Sequence, residues 1–237
     1  MTAEVRASST DTTSIDTYRS MRRGLVFVGF AFPIVLYAGS SWLEWPRSSM
    51  SYYYYTGARD FFVGPLVAIG LFLYLYKSIY FIDNSLLNVA GIAAVAIALF
   101  PMNQNGDCGG PSGSFPSKVH YISAIIFFSA ISLVFCFYYP AKHKGSQWCA
   151  GVMGICIAAA SPYKTLLPTE LQATLCSYSI IFWIELGAVW AFAYYWHLKS
   201  LDMDDSLKQW LANIPSALTE IGNRLRADAP GKPGGKE

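Results

Sequence analysis

Six stretches of this chain run for roughly the thickness of a membrane with almost no charge, and that segregation limits its possible folds more than any other feature. They are 24–43, 61–82, 86–102, 119–140, 147–163 and 175–198. A helix needs about 20 apolar residues to cross the hydrocarbon core, where each backbone N–H and C=O must find its partner inside the protein. Four of the runs meet that length comfortably; the third and fifth lie at the short end. Only 14% of the residues are charged, against about a quarter in an ordinary soluble domain. A net charge of +2 gives no strongly basic face for nucleic acid. The sequence therefore predicts an all-α integral membrane protein, a six-transmembrane-helix bundle.

Lys and Arg at the ends of the runs set the orientation. With the N-terminus inside, the inner flanks hold Arg19, Arg22, Arg23, Lys77, Lys142, Lys144, Lys199 and Lys208, whereas the outer loops hold Arg47, Arg59, Lys118 and Lys164. Eight against four places both termini in the cytoplasm, with the plasma (inner) membrane as the expected location. The first run could instead be read as a signal peptide, since Leu36-Tyr37-Ala38 before Gly39 resembles a cleavage site. Its length, with no other processing signal, favours an uncleaved helix. Aromatic residues fit the same frame: Trp42, Trp45 and Tyr52 to Tyr55 at the outer end, Trp190, Tyr194, Tyr195 and Trp196 towards the inner end, read as interfacial anchors.

The polar segments divide the rest. Residues 1–18 are rich in Ser and Thr with little to bury and are expected to be disordered; 19–200 form the membrane domain. In 201–228, Leu207, Leu211, Ile214, Leu218, Ile221 and Leu225 draw one apolar stripe, which Pro215 splits into two short helices. This predicts an amphipathic cytoplasmic C-terminal helix lying on the inner membrane surface, or alternatively a site for a protein partner. Residues 229–237 form a disordered tail. Within the membrane, Ala90, Ala94 and Ala98 on the third helix, and Ala150, Gly154 and Ala158 on the fifth with Gly151 alongside, present small residues at four-residue spacing. Such faces let helix backbones approach, so these two helices are expected at the centre of the bundle. Gly64-Pro65 should kink the second helix.

Charge inside a span costs roughly 2.5–3.5 kcal/mol on insertion scales, so any such residue is a candidate functional group. Glu185 is the clearest: ten residues into the last apolar run, it would lie about 15 Å deep at a helical rise. It either binds a neighbouring helix as a protonated structural residue or serves a function. At the outer surface Arg59 and Asp60 open the second helix, and His120 and Tyr121 open the fourth. Asp60 there is also explained as an N-cap or a first-turn anion. Asn103, Asn105, Asp107 and Glu170 lie in outer loops that could fold over them. The binding candidates are thus Arg59, Asp60, His120 and Glu185, with Arg59 pairing an anionic headgroup, Asp60 and His120 orienting it, and Glu185 beneath.

Other chemistry finds few components. The three histidines are His120 at an outer helix end and His143 and His197 at the cytoplasmic side, so the topology separates them by about a membrane thickness and rules out a three-His metal site. Asp60, His120 and Glu185 could share a metal only if Glu185 reached far upward. The chain carries no Gly-rich phosphate loop, GxSxG, HExxH, CxxC or CxxCH, and neither a metal nor a cofactor is expected. Cys108 and Cys176 are the two cysteines on the outer side and could form a disulfide; Cys136, Cys149 and Cys156 read as packing residues.

The stretch from Ser48 to Pro101, with Ser48, Ser49 and Ser51 after the first helix and Asn88 and Gly91 in the third, is followed by His120 opening the fourth. Over about residues 24–140 it resembles a family of small bacterial multi-pass membrane proteins of uncharacterised activity, and in topology it is similar to the DRAM and FRAG-type six-helix membrane proteins. The chain has Tyr-Thr-Gly-Ala-Arg-Asp at 55–60 where that group has an Asp-Thr-Gly stretch. The resemblance implies a six-helix fold with no established enzymatic activity and supplies no substrate. The expected function is non-enzymatic binding of a membrane lipid or small amphiphilic ligand at the outward-facing polar cluster. A proton-coupled small-solute carrier using Glu185, and a metal-dependent intramembrane lipid hydrolase, are the alternatives.

Overall fold

The computed structural model describes residues 3–40, 46–78, 81–103, 114–137, 144–160 and 167–201. Chain contacts separate one compact unit, Met1–Lys199, from Ser200–Glu237. The amphipathic stripe from Leu207 to Leu225 lies outside the described residues, as do Trp42, Trp45, Asn105, Asp107 and His143. Every regular element among the described residues is helical. The helices are α1 (Ala3–Ser40), α2 (Arg59–Leu75), α3 (Phe81–Leu99), α4 (Phe115–Phe137), α5 (Lys144–Ala160), α6 (Thr169–Ser177) and α7 (Ile180–Leu201). A short 3-10 helix, Met50–Tyr55, leads into α2.

Helix α1 begins at Ala3 and so runs through the segment that composition reads as disordered. Adding residues to an existing helix avoids the cost of nucleation, and the apolar half of α1 supplies the nucleus. Among the described residues three helical stretches are long and apolar enough to cross a membrane: Asp16–Gly39, Phe81–Leu99 and Phe115–Cys136. Helices α6 and α7 together make a fourth if counted as one broken span, with a bend of 63° between them. At 17 residues, α2 is about 26 Å long, slightly less than the hydrocarbon core.

Helices α1 to α5 pack in sequence order, each against the next through α2–α3, α3–α4 and α4–α5, with α1 on α2. The α2–α3 contact is backbone on backbone. A Cβ added at Gly91 would lie 2.6 Å from the Gly70 carbonyl oxygen, and one at Gly70 would lie 2.7 Å from that of Gly91. Beside this crossing Ala90, Ala94 and Ala98 are all buried, so the stripe on the third helix is used for close packing. On α5 the stripe is packed at Ala150, which is buried beside Ser132 of α4, but not further along: among the described residues nothing lies within 4 Å of a Cβ placed at Gly151 or Gly154, and Ala158 is exposed. A small-residue face permits close approach but does not by itself draw a partner helix. Helix α7 packs on α1 at Gly29, where an added Cβ would come 2.8 Å from that of Ala193. It packs on α4 through Phe127–Phe192 and the stacked rings of Phe135 and Tyr195.

Aromatic residues read as interfacial anchors divide in the same way. Tyr53, Tyr195 and Trp196 have no accessible surface, whereas Trp190 and Tyr194 are 39% and 46% exposed. In the 3-10 helix three residues make a turn. Met50 and Tyr53 therefore point together into the core, while Tyr52 and Tyr55 share another face with their rings 6.2 Å apart.

Candidate functional site

The site is built on the break between α6 and α7. Ser179 adopts φ 53°, a left-handed conformation uncommon for a residue with a Cβ. It is held there by bonds on both sides: its hydroxyl donates to Pro46 O at 2.5 Å and its N–H to Cys176 O at 2.9 Å. Restarting the helix at Ile180 leaves first-turn N–H groups without intrahelical partners. One of them, Phe182 N–H, donates to Ser48 O at 3.1 Å. One turn further on, Glu185 Oε2 accepts the Met50 N–H at 2.5 Å. Three bonds thus lace residues 46–50 along the first turns of α7. Because the helix is broken, Glu185 lies only about 8 Å beyond the bend rather than midway along a continuous span.

That lacing presents the next residue, Ser51, to α4. Ser51 Oγ lies 3.0 Å from His120 Nε2, while His120 Nδ1 lies 2.7 Å from Phe100 O and 3.1 Å from Ile97 O. A carbonyl oxygen only accepts, so Nδ1 carries the ring proton and Nε2 is the acceptor of the Ser51 hydroxyl. His120 is 4% exposed and satisfies carbonyls at the C-terminal end of α3, as a helix end requires.

Ser51, His120 and Glu185 line one cavity of about 100 Å3, together with Ser49, Ser117, Tyr121 and an apolar wall that includes Ile125, Cys156, Ile157 and Ile184. A water needs only about 10–15 Å3 on this measure. A second cavity of about 60 Å3 shares Ser51, Ala124, Phe128 and Glu185 with the first and is otherwise apolar, reaching Phe62, Leu66, Ile69 and Phe192. Ser51 and Glu185 therefore face both cavities, while His120, Ser49, Ser117 and Tyr121 line the first alone.

Of the residues singled out from sequence, the structure brings His120 and Glu185 to this cavity, with Tyr121 beside them. Arg59 and Asp60 are exposed at the start of α2. The Arg59 guanidinium lies 4.4 Å over the Tyr54 ring and donates to its hydroxyl at 2.7 Å. Asp60 occupies the first turn, whose N-cap is Ala58, where a carboxylate is favoured by the helix dipole. Glu170 is exposed in the first turn of α6. Tyr55 donates to Met102 O, and burial, with Tyr54 and Tyr52 nearby, pushes its phenol above the usual value, so it remains a donor at neutral pH. Cys176 is disulfide-bonded, whereas Cys136, Cys149 and Cys156 are free thiols; Cys108 lies outside the described residues. Among the described residues no three His, Cys, Asp or Glu side chains gather as a metal site would need.

A second polar cluster went unnoticed in the sequence because its members look like ordinary helix-end residues. Arg22 donates to Lys199 O at 2.8 Å and to the Tyr76 hydroxyl at 2.6 Å. Asp83, 2% exposed, faces Lys199 Nζ at 4.0 Å. Lys199 also lies over the rings of Tyr76, Tyr195 and Trp196. This cluster is about 21 Å from Glu185 along α7, at the opposite end of the helix.

The Glu185–Met50 bond carries a prediction. In Glu185→Gln the side-chain carbonyl still accepts from Met50, so the unfolding midpoint in detergent should change little. Glu185→Leu leaves a buried N–H without its acceptor, which costs about 1–3 kcal/mol. Equal midpoints for the two variants would mean that this bond does not hold residues 46–50 in place.

Among the described residues, fold and site define an all-helical architecture with three to four helices long and apolar enough to cross a membrane, and a cavity lined by both polar and apolar groups. No family model, curated protein or solved structure matches the chain.

Proposed function

We propose that the protein is a six-helix integral membrane protein that binds a lipid or small amphiphile in the cavity beside Ser51, His120 and Glu185. The observation that carries this reading is a cavity of mixed lining, polar at Ser51, His120 and Glu185, beside a second one that shares Ser51 and Glu185 with it and is otherwise apolar. A ligand with a polar head and an apolar chain satisfies both, and a purely polar solute leaves the chambers unfilled. In this reading α2 and α5 count as short spans and α6–α7 as one broken span, the cavity lies towards the outer side of the plasma membrane, and both termini lie in the cytoplasm. Arg59 and Asp60, exposed at the start of α2, face the headgroup layer in this arrangement.

Native mass spectrometry of the protein purified in a mild detergent is expected to detect a retained lipid or fatty acid. Ala124 lines both chambers, so Ala124→Trp should reduce retention at least tenfold in protein that remains monodisperse. Val89→Ala, at an exposed position on α3, should leave it unchanged. Equal retention in both variants would remove the cavity from consideration as the binding site.

A further inference from the structure

We propose that Ser51 is a nucleophile activated by His120 and that the cavity cleaves an ester of an apolar acyl chain, a reading that rests on the cavity holding an amphiphile. A serine hydroxyl reacts at neutral pH when a base within hydrogen-bond reach takes its proton and a third group fixes that base in the right tautomer. All three parts are present. Ser51 Oγ is 3.0 Å from His120 Nε2. Two backbone carbonyls, Phe100 O at 2.7 Å and Ile97 O at 3.1 Å, hold Nδ1 as the donor. Ser51 and His120 both line the cavity.

The carbonyls do the work that a carboxylate does in the usual triad. They belong to the C-terminal end of α3, where the helix dipole is negative, and so stabilise the positive charge that develops on the ring. Ser51 is itself fixed from behind, since its neighbour Met50 is bonded to Glu185.

The reaction balances with water as the co-reactant. Ser51 Oγ attacks the ester carbonyl carbon while its proton passes to Nε2. The ester C–O bond breaks and the alcohol leaves with that proton. Water then attacks the acyl-serine, Nε2 takes a proton from it, and the carbon–Oγ bond breaks to return the Ser51 hydroxyl and release a carboxylic acid. The acyl chain lies in the apolar chamber that shares Ser51 and Phe128 with the cavity.

The test uses the full-length protein in nanodiscs with a fluorophosphonate carrying an alkyl chain, in which Ser51 Oγ displaces fluoride from phosphorus. A single adduct mapped by peptide mass spectrometry to Ser51 is expected. It should be absent in Ser51→Ala and form at least 100-fold more slowly in His120→Gln, matching what a general base contributes. Because His120 also caps α3, Ser51→Cys serves as a second variant that leaves the cap intact. Its thiol should be alkylated by iodoacetamide at least tenfold faster than the native Cys136, Cys149 and Cys156, and it should lose the phosphonate adduct. Folding of each variant is checked by its unfolding midpoint.

A folded wild-type protein with no adduct at Ser51 overturns the proposal, as does labelling that is unchanged in folded His120→Gln or an introduced thiol no faster than the native ones. Binding of a fluorescent fatty acid by Ser51→Ala separates the two readings. Binding without any wild-type adduct removes the chemistry and leaves the amphiphile site; neither binding nor adduct removes both.

Discussion

Gly91→Val should lower the unfolding midpoint of the purified protein by roughly 10 °C, corresponding to a loss of about 3 kcal/mol. Overpacking in a core is usually relieved by a flexible side chain that rotates away. At this crossing the obstacles are backbone atoms. A Cβ at Gly91 would come 2.6 Å from Gly70 O, 3.0 Å from Tyr74 N and 3.2 Å from Tyr74 Cβ, so α2 and α3 must separate as rigid bodies. That movement also shifts the Ile97 and Phe100 carbonyls that hold His120, so amphiphile retention should fall together with stability. Gly154→Ala supplies the contrast, because nothing among the described residues lies within 4 Å of its added methyl and alanine is the better helix former by about 1 kcal/mol. Circular-dichroism melts in detergent decide the matter, and equal midpoints for Gly91→Ala and Gly154→Ala would mean that the two helices do not cross at Gly70 and Gly91.

The second large effect is expected at the other end of α7. Lys199→Met removes the cation facing Asp83, whose side chain is 2% exposed and whose Oδ1 has no hydrogen-bond partner among the described residues. Breaking a buried pair from one side leaves an uncompensated charge, a loss of about 3–5 kcal/mol. The reciprocal change should be milder. In Asp83→Asn the lysine still has the Tyr195 hydroxyl at 3.4 Å and three aromatic faces, and cation–π contacts of this kind offset part of the lost attraction. Combining Asp83→Asn with Lys199→Met should recover most of the loss, since an ion pair replaced on both sides by neutral groups is often close to neutral in stability. A double-mutant cycle on the unfolding midpoints measures this coupling. Strictly additive losses would show that the two side chains do not act as a pair.

Particular residues show how much could be read beforehand. His120 and Glu185 stood out because polar groups at or within apolar runs are rare, and both line the cavity. Ser51 could not be tied to His120 from the sequence, since 69 residues separate them and no periodicity spans a loop. Lys199 read only as a basic flank of the last apolar run, and Asp83 carried no signal; the fold brings the end of α7 to the start of α3 and makes them a buried pair. The same limit applied to the aromatics: Tyr194 and Tyr195 are adjacent, yet one is half-exposed and the other fully buried, because successive helical residues point 100° apart.

By itself the sequence determined the helical class and the lengths of its apolar runs, because an uninterrupted apolar run of about 20 residues satisfies its backbone polar groups within itself as a helix. It also determined which residues would be costly to bury. The tertiary structure alone decided where those residues meet. The left-handed turn at Ser179 marks the 63° bend between α6 and α7, and residues 46–50 attach there through the Ser179 hydroxyl, the Phe182 N–H and the Glu185 carboxylate. The attachment sets Ser51 against His120 and Glu185 against Met50. Contacts of this kind depend on the path of the chain in three dimensions, which local spacing does not encode.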